Sequence, residues 1–91
     1  MIKSFKCKHT RALAEGKCPK RFKAFQAQAE RKIQILDSAV ELRDLHLPPG
    51  NRLEKLGGDR AGQYSIRINQ QWRICFVWRD APCEVEITDY H

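Results

Sequence analysis

The stretch Gln63-Tyr64-Ser65-Ile66-Arg67-Ile68-Asn69-Gln70-Gln71-Trp72-Arg73-Ile74-Cys75-Phe76-Val77-Trp78 decides the fold. Its apolar side chains alternate with others at the period of half-buried strands, so one face of each arm belongs to a core. A three-residue loop at Asn69, Gln70 and Gln71 sets Ile68 against Trp72, Ile66 against Ile74 and Tyr64 against Phe76. The same register places Arg67 opposite Arg73 on the other face, where like charges destabilise a sheet. Two readings of that pair stay open. The guanidiniums splay into water or pair with Glu86, or they form a phosphate seat, for which planar, permanently charged arginine is suited.

Outward from the hairpin, Arg79 to Pro82 is expected as the next turn, which pairs Trp78 with Cys83, Phe76 with Val85 and Ile74 with Ile87. A last strand then runs from Cys83 to Tyr90. Upstream, Gly57 to Gly62 is a connection, Arg52 to Leu56 a brief strand, and Pro48-Pro49-Gly50-Asn51 a loop. Pro19 suits the start of the main helix, whose stripe is Phe22, Phe25, Ala29, Ile33, Leu36 and Val40. Ser38 and Glu41 match a capping box, so a short helix is expected from Ala39 to about Leu45, with Leu42 and Leu45 inward. Ile2 to Cys7 reads as an opening strand, and His9 to Ala14 as a helical turn ending near Gly16. The order β-α-α-β-β-β-β predicts an α+β fold, a single antiparallel sheet with helices packed on one face. Its open face collects Ser65, Arg67, Arg73, Thr88 and Tyr90.

The length of 91 residues suits one domain, 1–91, with a modest core. The chain carries 17 Lys plus Arg against 11 Asp plus Glu, a net charge of +6. That excess is local: residues 1 to 35 hold ten basic and two acidic side chains, or +8, leaving seven and nine in the remainder, or −2. A basic front half points to a polyanion, with nucleic acid the leading partner class, or to an acidic protein. Lys20, Lys23 and Arg31 lie off the apolar stripe and are candidate RNA-binding residues beside Arg67 and Arg73. No apolar run reaches the roughly 20 residues needed to cross a bilayer, so a cytoplasmic protein without membrane association is expected. Cys7, Cys18, Cys75 and Cys83 lack metal-ligand spacing; neither a metal nor another cofactor is expected.

Glycines 57, 58 and 62 lack the Gly-Lys-Ser/Thr of a phosphate loop, and Asp59-Arg60 reads as a turn pair. Trp72 and Trp78 follow core parity. Tyr90 either stacks on a base or binds a phosphate, or covers a sheet edge. His91 can carry a proton near neutral pH, and the neighbouring Asp89 favours its charged form, which makes it a candidate general acid.

The run from Pro49 to Ile68, with Gln71-Trp72-Arg73-Ile74-Cys75-Phe76 and Asp89-Tyr90-His91, resembles the HigB-type toxins, or plasmid maintenance killer proteins, of the RelE superfamily. The specific signal is the joint occurrence of Gly58-Asp59-Arg60, Trp72-Arg73-Ile74 and Asp89-Tyr90-His91. The resemblance implies a RelE-like domain that enters the ribosomal decoding site and cuts mRNA during translation. It also implies a HigA-type helix-turn-helix antitoxin, through which alone operator DNA is bound. By position it assigns the active site to Arg67, Arg73, Asp89, Tyr90 and His91. Some relatives carry histidine where this chain has Glu54 and lysine where it has Gly57, which makes Glu54 a candidate base. The alternative is a non-catalytic RNA- or ribosome-binding translation inhibitor that uses the basic front half.

Overall fold

The computed structural model describes residues 1–89. Two helices, α1 (Lys8–Ala14) and α2 (Gln26–Ser38), pack with a four-stranded antiparallel sheet of β1 (Glu54–Lys55), β2 (Tyr64–Arg67), β3 (Arg73–Trp78) and β4 (Pro82–Thr88), in the order β1-β2-β3-β4. The central hairpin has the expected register: Tyr64 faces Phe76, Ile66 faces Ile74 and Arg67 faces Arg73. Its loop is fixed by Asn69, whose side-chain oxygen accepts from the backbone N–H of Gln71 (2.8 Å) and of Trp72 (2.7 Å). Ile66, Ile74, Phe76, Val85 and Ile87 then form one buried layer facing Phe22, Phe25, Ala29, Ile33, Leu36 and Leu45. Each fully buried Leu, Ile or Phe contributes roughly 1.5–3 kcal/mol over its exposed state.

Several expectations are corrected. Ile74 does face Ile87, but Val77 pairs with Cys83 and Trp78 with Pro82, with a register shift between Cys75 and Val77. The cause is one extra residue in β4: Glu84 adopts φ 53°, and its N–H is taken by Ser4 Oγ at 2.8 Å. Cys83, Val85 and Ile87 are all buried. The opening segment makes only one parallel bridge, Phe5 to Val85, rather than a full strand. Where it leaves the β4 edge, buried Thr10 takes over, its Oγ1 accepting the Ile87 N–H at 2.9 Å.

The helical layer also departs from the periodicity. Residues Lys20–Phe25 form a 3₁₀ helix, and α2 begins only at Gln26, after Phe25 at φ −130° and ψ 29°. Because α2 stops at Ser38 and Ala39 is extended, Ala39 enters the core and Val40 is left 79 % exposed. The capping box lies three residues later than expected, at Glu41 and Asp44 rather than Ser38 and Glu41, ahead of a 3₁₀ helix at Leu42–His46. N–H groups of Glu41 and Val40 hold the Asp44 carboxyl below its ordinary pKa. α1 ends as expected: Gly16, at φ 92°, closes a Schellman motif in which the Lys17 N–H reaches Ala12 O (2.9 Å) and the Gly16 N–H reaches Leu13 O (3.1 Å).

The proline loop does more than stop a helix. Asn51 is fully buried; its Nδ2 donates to the carbonyls of Leu45 (3.2 Å) and Leu47 (3.0 Å), and its Oδ1 accepts from the Lys32 ammonium. Burial, followed by the nearby Arg31 charge, lowers the Lys32 pKa. This knot ties α2 to the segment that enters β1, where only Glu54 and Lys55 pair. Among the described residues, no helix is long and apolar enough to cross a membrane.

Candidate active site

Strand parity builds two rows of side chains on the sheet face away from the helices. In one, Glu54 faces Ser65, Ser65 faces Cys75 and Cys75 faces Glu86. In the other, Arg67 faces Arg73 and Arg73 faces Thr88. Neighbouring rows lie two residues apart along a strand, or about 7 Å.

The opposed arginines turn to different partners, which relieves their repulsion. Arg67 bends toward the hairpin loop, its Nε donating to Asn69 O at 3.1 Å. Arg73 lies across the first row: Nε donates to Ser65 Oγ (2.8 Å), Nη2 donates to Arg52 O (2.7 Å), and Glu54 Oε1 is 3.5 Å from Nη2. The Arg73 side chain is only 15 % exposed, so its direction is set by the fold before any substrate arrives.

Glu86 is engaged by a different arginine. Arg60 follows the tight turn at Gly57–Gly58, where Gly58 has φ 59°, and its Nη1 donates to Gln63 Oε1 and to Glu86 Oε1, both at 3.2 Å. That ion pair is half-buried, with side-chain exposures of 26 % and 23 %. Reading Asp59-Arg60 as a local turn pair missed this partner 26 residues away. The sequence offers Glu86 to Arg67 and Arg73; that Arg60 takes it instead emerges only from the fold. Cys75, buried beside these charges, has its thiol pushed up to about 11 by burial, so it is not a nucleophile at neutral pH.

Of the expected site residues, Arg73 and Glu54 are in direct contact and Arg67 is adjacent on the sheet. Asp89 lies just past β4, its carboxylate accepting from Gln71 Nε2 at 2.8 Å. Tyr90 and His91 lie outside the described residues. Lys20 and Lys23 on the 3₁₀ helix and Arg31 on α2 are exposed on the helical layer and do not join the arginine rows. Among the described residues, no cluster of three or more His, Cys, Asp or Glu could hold a metal ion. Fixed guanidiniums can bind a phosphodiester, and a carboxylate beside them can accept a proton next to it.

A family model described as the RelE-like toxin of type II toxin-antitoxin system HigB matches residues 5–91. Toxin HigB-1 of Vibrio cholerae serotype O1 is 52 % identical over 61 residues, which span 67 % of this chain and 64 % of that relative. Endoribonuclease HigB of Proteus vulgaris is 32 % identical over 93 residues, covering 100 % of both chains. The YoeB-YefM complex from Staphylococcus aureus contains a chain similar in fold, with a TM-score of 0.64 at 21 % identity, covering 100 % of this chain and 95 % of that one. The chain belongs to the HigB-like family of RelE-like toxins of type II toxin-antitoxin systems.

Proposed function

We propose that this chain is a ribosome-dependent endoribonuclease that cuts mRNA under translation by attack of the RNA's own 2′-hydroxyl, halting protein synthesis and growth. The observation that carries the reading is Arg73, anchored by Ser65 and Arg52 and lying 3.5 Å from the Glu54 carboxylate on the open face. Arg73, helped by Arg67, holds the scissile phosphate and stabilises the charge that builds on it. The 2′-oxygen forms a bond to phosphorus while its proton passes to Glu54 or Asp89. Glu54 is favoured because it shares the phosphate-holding guanidinium, whereas Asp89 is engaged with Gln71. The bond from phosphorus to the 5′-oxygen breaks as His91 supplies that oxygen with a proton, and Tyr90 positions the base or phosphate. The products are a 2′,3′-cyclic phosphate and a 5′-hydroxyl, with no metal in the cycle.

An open sheet face with few acid–base groups makes a poor general ribonuclease, so the ribosome orients the message and supplies much of the entropic advantage. Lys20, Lys23 and Arg31 supply the basic surface for ribosomal RNA. The partner that neutralises the toxin is a HigA-type helix-turn-helix antitoxin, through which the pair meets operator DNA, and the toxin acts in the cytoplasm. The neighbour of similar fold, a YoeB-YefM complex, accords with such a pairing.

The test is to map the 5′ ends of a reporter mRNA after the protein is induced. New ends inside the coding region are expected. Stalled translation on intact message would favour the non-catalytic binder, with the basic helical layer as its contact surface.

A further inference from the structure

We propose that Arg60 and Lys6 form a second phosphate seat on the open face, which holds the RNA phosphodiester next to the one at Arg73. This inference rests on the RNA-cutting reading and extends it from a cleavage point to a backbone track.

The charge count on this face motivates it. Among the described residues, Arg67 and Arg73 share the face and its strand end with Glu54, Glu86 and Asp89, two positive charges against three negative. Left at that, the surface would repel RNA. Arg60 and Lys6 reverse the balance to four against three. Arg60 is not a loosely solvated side chain. Its half-buried side chain spans from the Gly58–Arg60 turn before β2 across to Glu86 on β4. Lys6 enters from the opposite edge, where its N–H bonds Val85 O at 3.0 Å. Ser65 and Glu86, which hold the Arg73 and Arg60 guanidiniums, flank Cys75 in one row, and the backbone bond to Val85 sets Lys6 on the adjoining β4 edge.

The geometry fits a polymer. The Arg73 guanidinium is anchored at Ser65 and the Arg60 guanidinium at Glu86, two strands apart in one row, so the two seats stand about 10 Å from each other, a span of one to two nucleotides of an extended strand. The Arg60–Glu86 pair keeps the guanidinium aimed when no RNA is bound, and an incoming phosphate exchanges with the carboxylate. Arginine holds such a position better than lysine because its fork can serve Gln63 and a phosphate together.

The test uses the full chain and a short 2′-O-methyl RNA, which cannot be cut. Affinity is measured across a range of salt concentrations for wild type, Arg60→Ala, Arg60→Lys and Lys6→Ala. The expected outcome for Arg60→Ala is about tenfold weaker binding with a salt slope shallower by about 0.7, the loss of one single-strand phosphate contact. Arg60→Lys keeps the slope, and Lys6→Ala makes it shallower. A wild-type slope and affinity in Arg60→Ala would overturn the seat, even if its melting temperature dropped, because a structural role moves stability alone. Undetectable binding by wild type would overturn it too. Cleavage of message on translating ribosomes by wild type is assayed in parallel: no cuts there sinks the nuclease, whereas an unchanged Arg60→Ala slope sinks only the second seat.

Discussion

Replacing Arg73 by alanine separates the chemical role of this side chain from its structural one. The substitution removes hydrogen bonds to Ser65 Oγ (2.8 Å) and Arg52 O (2.7 Å) and the weaker contact with Glu54. Two hydrogen bonds at about 1 kcal/mol each, somewhat more for a charged donor, set the loss. Relief of the opposed Arg67 charge returns roughly 0.2–1 kcal/mol, so the net destabilisation is about 2 kcal/mol. A domain of this size then melts roughly 8–16 °C lower. Starting from even about 5 kcal/mol of stability, more than about 99 % of the variant stays folded at 25 °C. Removing a preorganised group that stabilises transition-state charge costs about 10²–10³ in rate, far beyond what unfolding explains. The assay is single-turnover cleavage of message on programmed ribosomes at 25 °C, with thermal melting on the same samples. A loss of at least about 100-fold is expected, and Arg73→Lys should fall between the two because it keeps the charge and loses the fork. Cleavage by Arg73→Ala within about threefold of wild type would refute the reasoning.

Glu54→Gln and Asp89→Asn are expected to differ in single-turnover rate, with Glu54→Gln slower by at least about tenfold. The reverse order would move the base to Asp89. Asn51→Ala should cost roughly 2–3 kcal/mol in urea unfolding, because two backbone carbonyls and the Lys32 ammonium lose their partner; a change under about 0.5 kcal/mol would show that the knot is dispensable. Stability should also fall at high pH. The folded Cys75 thiol titrates at about 11 against an ordinary 9.0, so its contribution is complete below pH 9 and is lost as pH rises toward 11. About 2 kcal/mol should disappear across that window in wild type, beyond any loss seen in Cys75→Ala; parallel curves for the two would contradict the burial of this thiol.

The central hairpin was legible because its two arms alternate in register and Asn69 supplies the turn chemistry. That register alone brought Arg67 and Arg73 onto one face. The far end of the β3–β4 pairing was not legible, since nothing in the identity of Glu84 signals a left-handed residue that adds one position to a strand. Val40 continued the apolar spacing past Ser38, but periodicity does not register where backbone geometry ends a helix. Arg60–Glu86 and Lys32–Asn51 are long-range polar contacts, and such pairs follow from the packed fold rather than from local spacing. Glu54 joined the candidates through family resemblance, and its contact with Arg73 came from β1 pairing with Ser65.

The most direct measurement substitutes a single atom in the substrate. A message is built with a 2′-deoxy nucleotide on the 5′ side of a mapped cut, loaded on ribosomes and exposed to the protein, beside the all-ribose message. The account predicts that the deoxy site resists cleavage, while the all-ribose message yields a cyclic phosphate upstream and a 5′-hydroxyl downstream. Equal cleavage of both messages at that position would contradict attack by the RNA's own hydroxyl and, with it, the roles given to Arg73 and Glu54.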